Sequence, residues 1–227
     1  MANQLINYFI ISIVFSIFTI NVYAETPIYS WRVSELARSP VENIKLRNEQ
    51  DRLLKTVSAK QMVYLYAAMS SIAEASEIDA EFIIIDGELA NAFAGSTKDG
   101  VNFVAINFSM LDILGTNLDM TAALIGHELA HLKLNHGEIS KKNKELNYGK
   151  DFSAANTRYS RDSEREADYL GTIWAIEAGY NPNGAVALHE ALHAHSKKTA
   201  SLSFNVSHPS SIERITILKS LVRRLSN

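Results

Sequence analysis

The stretch Leu118-Asp119-Met120-Thr121-Ala122-Ala123-Leu124-Ile125-Gly126-His127-Glu128-Leu129-Ala130-His131 decides how this chain is read. Two histidines stand four apart behind a largely apolar run, with a glutamate directly after the first. On a helix, positions i and i+4 lie one turn apart on one face, so both imidazoles reach a single ion at about 2.0–2.1 Å. Glu128 sits beside the first of them, where a carboxylate takes the proton from water activated at the ion and passes it to a leaving amine. That is the chemistry of zinc-dependent peptide hydrolysis. Thr116, with Asp119 three residues on, reads as a capping-box-like start, and Gly137 as the stop of a helix from Leu118 to His136. His136 is nine residues from His127, so on a continuous helix it faces the other side and reads as a capping or surface residue.

The pattern alone does not make a metal site, because His189-Glu190-Ala191-Leu192-His193 repeats it on another predicted helix. The third ligand discriminates. Downstream of the first copy stands Arg161-Asp162-Ser163-Glu164-Arg165-Glu166-Ala167-Asp168. Glu164 and Asp168 are one helical turn apart, so Glu164 is able to ligate while Asp168 holds a ligand histidine by its free ring nitrogen. Ala167 allows a close helix approach, and Glu166 projects elsewhere, toward solvent. A third histidine of the metzincin type is excluded, since Leu134 and Gly137 stand where that spacing needs Gly and His. The second copy is therefore read as a decoy.

Composition narrows the chemistry further. The 227 residues contain no cysteine, which excludes disulfides, thiolate zinc sites and cysteine nucleophiles and leaves His and carboxylates as metal ligands. Lys plus Arg is 22 against 25 for Asp plus Glu, a formal charge of −3 that argues against a nucleic-acid partner. From Ile6 to Ile20 the chain is almost continuously apolar, short for a bilayer span, and it ends in Val22-Tyr23-Ala24. Residues 1–24 read as a signal peptide cut before Glu25, with a retained membrane anchor as the alternative. That leaves residues 25–227 as a zinc metallopeptidase domain working in the periplasm or outside the cell.

Along that domain, Leu46, Leu53, Leu54, Val57, Met62, Tyr64, Leu65 and Ala68 recur at threes and fours, which predicts helix over residues 41–75. Phe82 to Ile85 and Val101 to Phe108 read as strands, and neither stands alone, so a small sheet packed on helices is implied. Residues 139–163 are polar and read as a mobile surface connection containing at most one short helix. Helices are then expected over residues 161–178, 184–195 and 210–225. The fold class is α+β, a mostly helical zincin-type domain with a small β-sheet packed on the HExxH helix.

Taken together, the chain resembles the HtpX-, BepA- and CAAX-prenyl-protease-related family of gluzincin zinc metallopeptidases. The matching pieces are Ala122 to His131, Ser160-Arg161 through Glu164 to Ala167-Asp168 and Gly171, Asn91-Ala92-Phe93, and His208-Pro209 with Arg214. The resemblance implies His127, His131 and Glu164 as ligands of one Zn2+, Glu128 as general base and Asp168 as the residue behind a ligand histidine. It places His208 near the site in a gating or oxyanion role, with Arg214 supporting it. It also implies an unfolded or extended polypeptide substrate, docked by main-chain pairing on a sheet edge formed by Asn102 to Phe108. The expected activity is endoproteolysis of unfolded or misassembled envelope proteins. The alternative is a zinc-containing binding or chaperone-like module with a gated or inactive site. Ile212, Ile215, Leu218, Val222 and Leu225 beside Lys219, Arg223 and Arg224 read as a core-packing helix with a solvated basic face rather than a membrane-binding one.

Overall fold

The computed structural model describes residues 29–88, 90–146, 152–199 and 212–225. The proposed signal peptide, His208 and Pro209 lie outside the described residues. In chain order the elements begin with β1 (Ser30–Arg32), α1 (Val33–Leu36), β2 (Asn43–Arg47), β3 (Leu53–Ser58) and α2 (Ala59–Ser76). Then follow β4 (Glu81–Ile85), β5 (Ala92–Ser96), β6 (Asn102–Asn107), α3 (Phe108–Leu114) and α4 (Leu118–Lys133). The last are α5 (His136–Leu146), α6 (Phe152–Glu177), α7 (Asn183–Thr199) and α8 (Ile212–Leu225). The architecture is α+β and mostly helical, with a four-stranded sheet in the order β1-β4-β6-β5 and a separate two-stranded hairpin β2-β3.

Helix α4 is the axis of the molecule. Every residue from Met120 to Ala130 is buried. A helix buried all round needs apolar contacts on every side, and α2, α6, α7 and strands β5 and β6 supply them. Met62, Met69 and Ile72 of α2, Ile84 and Ile106 of the sheet, and Leu124, Ile125 and Leu129 of α4 form the fully buried centre. The closest approach is between α4 and α6, where Gly126 faces Gly171. A Cβ on Gly126 would lie 2.7 Å from the Gly171 carbonyl oxygen, and one on Gly171 would lie 2.5 Å from the backbone nitrogen of His127. Two glycines at the crossing thus let α6 come near enough for its carboxylates to reach the histidines of α4.

Several sequence expectations change. Residues 41–75 are not one helix, because β2 and β3 occupy the first part. The hydrophobic spacing there suits both periods, and Ile44 and Leu46 alternate with exposed Asn43 and Lys45. The decisive signal is the turn: the Asn48 side chain accepts from the backbone N–H of Gln50 and Arg52, and Asp51 adopts φ 61°. Helix α4 is capped by Asn117, which accepts from the Met120 N–H at 3.0 Å, rather than by Thr116. Asp119 instead accepts from the Asn181 N–H at the approach to α7. The helix ends at Lys133 because Asn135 turns left-handed at φ 53°, and α5 starts at His136. The supposed connection over residues 139–163 is largely helical, divided between α5 and the first part of α6.

Strand β6 is also not an edge. It pairs parallel with β4 and antiparallel with β5, so both of its sides are taken. Strand β5 was illegible in the sequence because Ala92, Ala94, Gly95 and Ser96 carry little β-propensity. Its position is fixed by tertiary locks: Asn91 N–H donates to the Asn107 side chain at 3.0 Å, and Asn107 N–H donates to the Asn91 carbonyl at 3.0 Å. Phe93 and Phe103 meet edge to face at 6.0 Å.

Candidate metal centre

Helix α4 presents His127 and His131 on its α6-facing side, with their Nε2 atoms 3.1 Å apart. Glu164 of α6 closes the triangle: its Oε2 is 3.5 Å from His127 Nε2 and its Oε1 is 3.4 Å from His131 Nε2. A tetrahedral ion with bonds of about 2.05 Å has ligand–ligand edges of about 3.3 Å, near the separation of the two Nε2 atoms and near the distance from each to its own nearer Glu164 oxygen. Among the described residues, these three form the group whose donor atoms gather tightly enough to hold a metal, all within 4.8 Å of one another.

Behind the triangle lies a buried network. Asp168, one turn after Glu164, has its Oδ1 3.0 Å from His127 Nδ1. Arg214 of α8 donates from Nε to Asp168 Oδ2 at 2.8 Å, from Nη2 to Asp168 Oδ1 at 2.6 Å and from Nη1 to Glu164 Oε2 at 2.7 Å. One guanidinium therefore holds both the third candidate ligand and the carboxylate behind the first. Glu128, only 1% exposed, completes the set. Three carboxylates (Glu128, Glu164, Asp168) and one guanidinium (Arg214) give this buried cluster a formal charge of −2, which a divalent cation neutralises.

Protonation follows from this charge. Burial pulls His127 down, but hydrogen bonds and charges from Asp168 and Glu164 outweigh it and push His127 up to about 10 without a metal. His131 goes the other way: burial lowers it, the neighbouring His127 charge lowers it further, and Glu128 and Glu164 offset this only in part. Burial raises Asp168, yet Arg214, His127 and His189 together hold it well below the usual carboxylate range. Arg214 is raised despite its burial because it faces Asp168 and Glu164.

The model of peptidase family M48 matches residues 58–147 and 150–222, from the end of β3 into α8. The chain belongs to peptidase family M48. No curated protein sequence gives a significant match. M48 proteins are metallopeptidases, and the matched span contains every residue of the network described above.

Within this M48 chain the structure brings together His127, Glu128, His131, Glu164, Asp168 and Arg214, as the sequence suggested. Arg214 contacts the carboxylates of α6, whereas its suggested partner His208 lies outside the described residues. One residue sits elsewhere than the sequence suggests. His136 is buried rather than at the surface, with its Nδ1 2.9 Å from His131 Nδ1 and its Nε2 3.2 Å from Glu166 Oε2. Glu166 is largely exposed, as expected, yet it reaches that histidine. His189 of the second copy stays out of the donor triangle but is buried, its Nε2 3.5 Å from Asp168 Oδ1. Nothing in helical spacing points to His136, because the left-handed Asn135 is what re-aims it.

Proposed function

We propose that this M48 chain is an exported zinc endopeptidase that hydrolyses peptide bonds in unfolded or misassembled envelope proteins. The observation that carries the reading is the donor triangle of His127, His131 and Glu164 at tetrahedral-edge spacing, with buried Glu128 adjacent in the chain to the first ligand. Zinc held there supplies a Lewis acid that polarises the scissile carbonyl and makes water acidic enough to lose a proton near neutral pH. Glu128 accepts that proton and returns it to the departing amine. Asp168, 3.0 Å from His127 Nδ1, favours the tautomer that leaves Nε2 free for the metal, while Arg214 keeps Asp168 ionised and holds Glu164 in place.

An extended substrate docks on the outer edge of β5, Ala92–Ser96, which is at the end of the sheet nearest α4 and has no strand beyond it among the described residues. Pairing with main-chain groups there tolerates many sequences, as a quality-control peptidase requires. The experiment is cleavage of an unfolded test protein by the chain recovered from the periplasm, with its N-terminus and zinc content determined on the same sample and Glu128→Gln run beside it. The expected result is a chain starting at Glu25 with about one zinc, active in the wild type and inactive in the variant. Zinc without cleavage in either sample identifies a binding module instead. A chain starting at Met1 contradicts cleavage of the leader.

A further inference from the structure

We infer that His136 is a positioning residue for His131, fixed in turn by Glu166, so that the site holds its two histidines by two separate hydrogen-bond relays. The inference rests on the metal-site reading above and goes beyond it to residues in neither copy of the motif. His136 is 6% exposed, and its Nδ1 lies 2.9 Å from His131 Nδ1. Two ring nitrogens at that distance form a hydrogen bond only if one carries a proton and the other a lone pair.

The order of protons is then determined from the metal outward. His131 Nε2 faces the donor triangle, 3.4 Å from Glu164 Oε1, and must present its lone pair there. Its proton therefore sits on Nδ1, and His131 Nδ1–H donates to His136 Nδ1. His136 is left with its proton on Nε2, which lies 3.2 Å from Glu166 Oε2 and donates to that carboxylate. Behind His127 the backing group is a carboxylate instead, with Asp168 Oδ1 3.0 Å from its Nδ1. Outer partners of this kind orient a ligand ring and raise its basicity. The backbone is shaped for the relay: Asn135 at φ 53° breaks α4 and starts α5 with His136 turned back under His131. Asparagine is among the few non-glycine residues that adopt that conformation routinely.

A purely space-filling His136 predicts something different. Phenylalanine would fill the same volume, and no acceptor would be needed beside His131 Nδ1. The test uses the full chain stripped of metal, with zinc affinity read by competition against a chromophoric chelator. His136→Phe is expected to weaken zinc binding about 10–100-fold. His136→Asn, whose Oδ1 replaces the Nδ1 acceptor, is expected to stay within about threefold of wild type, and Glu166→Gln to weaken binding by about twofold to fivefold, because that carboxylate is mostly exposed. Unchanged affinity in His136→Phe, or an equal loss in His136→Asn, overturns the inference. Imidazole 15N spectra of the zinc-loaded wild type decide it without any variant: the expected state is His131 protonated at Nδ1 and neutral His136 protonated at Nε2, and a proton on His136 Nδ1 overturns it. A wild-type chain that takes up no zinc sinks the metal reading as well, which separates the two failures.

Discussion

Two helices carry the same five-residue pattern, and among the described residues only the first belongs to a group that could hold a metal. In α4 the first histidine, the glutamate and the residues around them are buried, and a carboxylate from α6 closes the triangle. In α7 the glutamate is turned to solvent, where Glu190 pairs with Lys219 at 2.7 Å with both side chains about half exposed. His189 is buried and His193 partly so, just as His127 and His131 are in the first copy, but among the described residues only the first pair is joined by a carboxylate into a group that could hold a metal. The copies meet at one atom: Asp168 Oδ1 lies 3.0 Å from His127 Nδ1 and 3.5 Å from His189 Nε2. Spacing puts two histidines on one face of a helix, but the neighbour that face meets decides whether they become a site.

The largest expected contrast is between the two glutamates. Glu128→Gln should lower peptide hydrolysis by about 10²–10⁴-fold with zinc retained, as loss of a general base does, whereas Glu190→Gln should leave the rate unchanged. Initial-rate assays on an unfolded substrate check both, and equal losses in the two variants would erase the distinction drawn between the helices.

Next is Arg214→Ala. It leaves Asp168 and Glu164 buried without their cation, and breaking such a cluster costs about 3–5 kcal/mol. Denaturant unfolding of the metal-free chain should show it, and a change below about 1 kcal/mol would contradict the network. His189→Ala is expected to be intermediate, because it removes one of several groups facing Asp168 and leaves a small void, costing about 1–3 kcal/mol. Zinc should still bind in that variant. If His189→Ala abolished zinc uptake while leaving the chain folded, α7 would hold a ligand after all.

A graded effect is a dependence on pH. His127 without metal is raised from 6.5 to about 10, so its proton stabilises the metal-free fold fully below pH 6.5, and that contribution is lost as pH rises through about 10. Zinc must displace the same proton. Apparent zinc affinity should therefore rise about tenfold per pH unit through neutrality from this ligand, flattening near pH 10. Chelator competition across that range, with a flat profile between pH 7 and 9, would show that His127 enters the reaction already neutral.

The group of His127, His131 and Glu164 is legible because the chemistry fixes residue type and helical spacing together, and because Glu164 and Asp168 recur at one turn, as His127 and His131 do. Strands β4 and β6 were legible for a similar reason, since Ile84 and Ile106 sit in unbroken apolar runs. What was not legible depends on tertiary partners. Strand β5 is made mostly of small residues and exists because Asn91 and Asn107 clamp it to β6, so the sheet edge lies one strand beyond the one the apolar run suggests. The β2-β3 hairpin was hidden by leucines whose spacing fits a helix as well as a strand, with Asn48 and Asp51 as the overlooked turn. His136 was misread because one left-handed residue, Asn135, redirects the chain by a fraction of a turn that no periodicity records.

Zinc content decides whether the metal belongs to α4 or to α7. His131→Ala and His193→Ala are purified beside the wild type and analysed for bound zinc after identical dialysis. About one zinc per chain is expected in the wild type and in His193→Ala, and none in His131→Ala. An empty His193→Ala beside a loaded His131→Ala would move the site to the other helix.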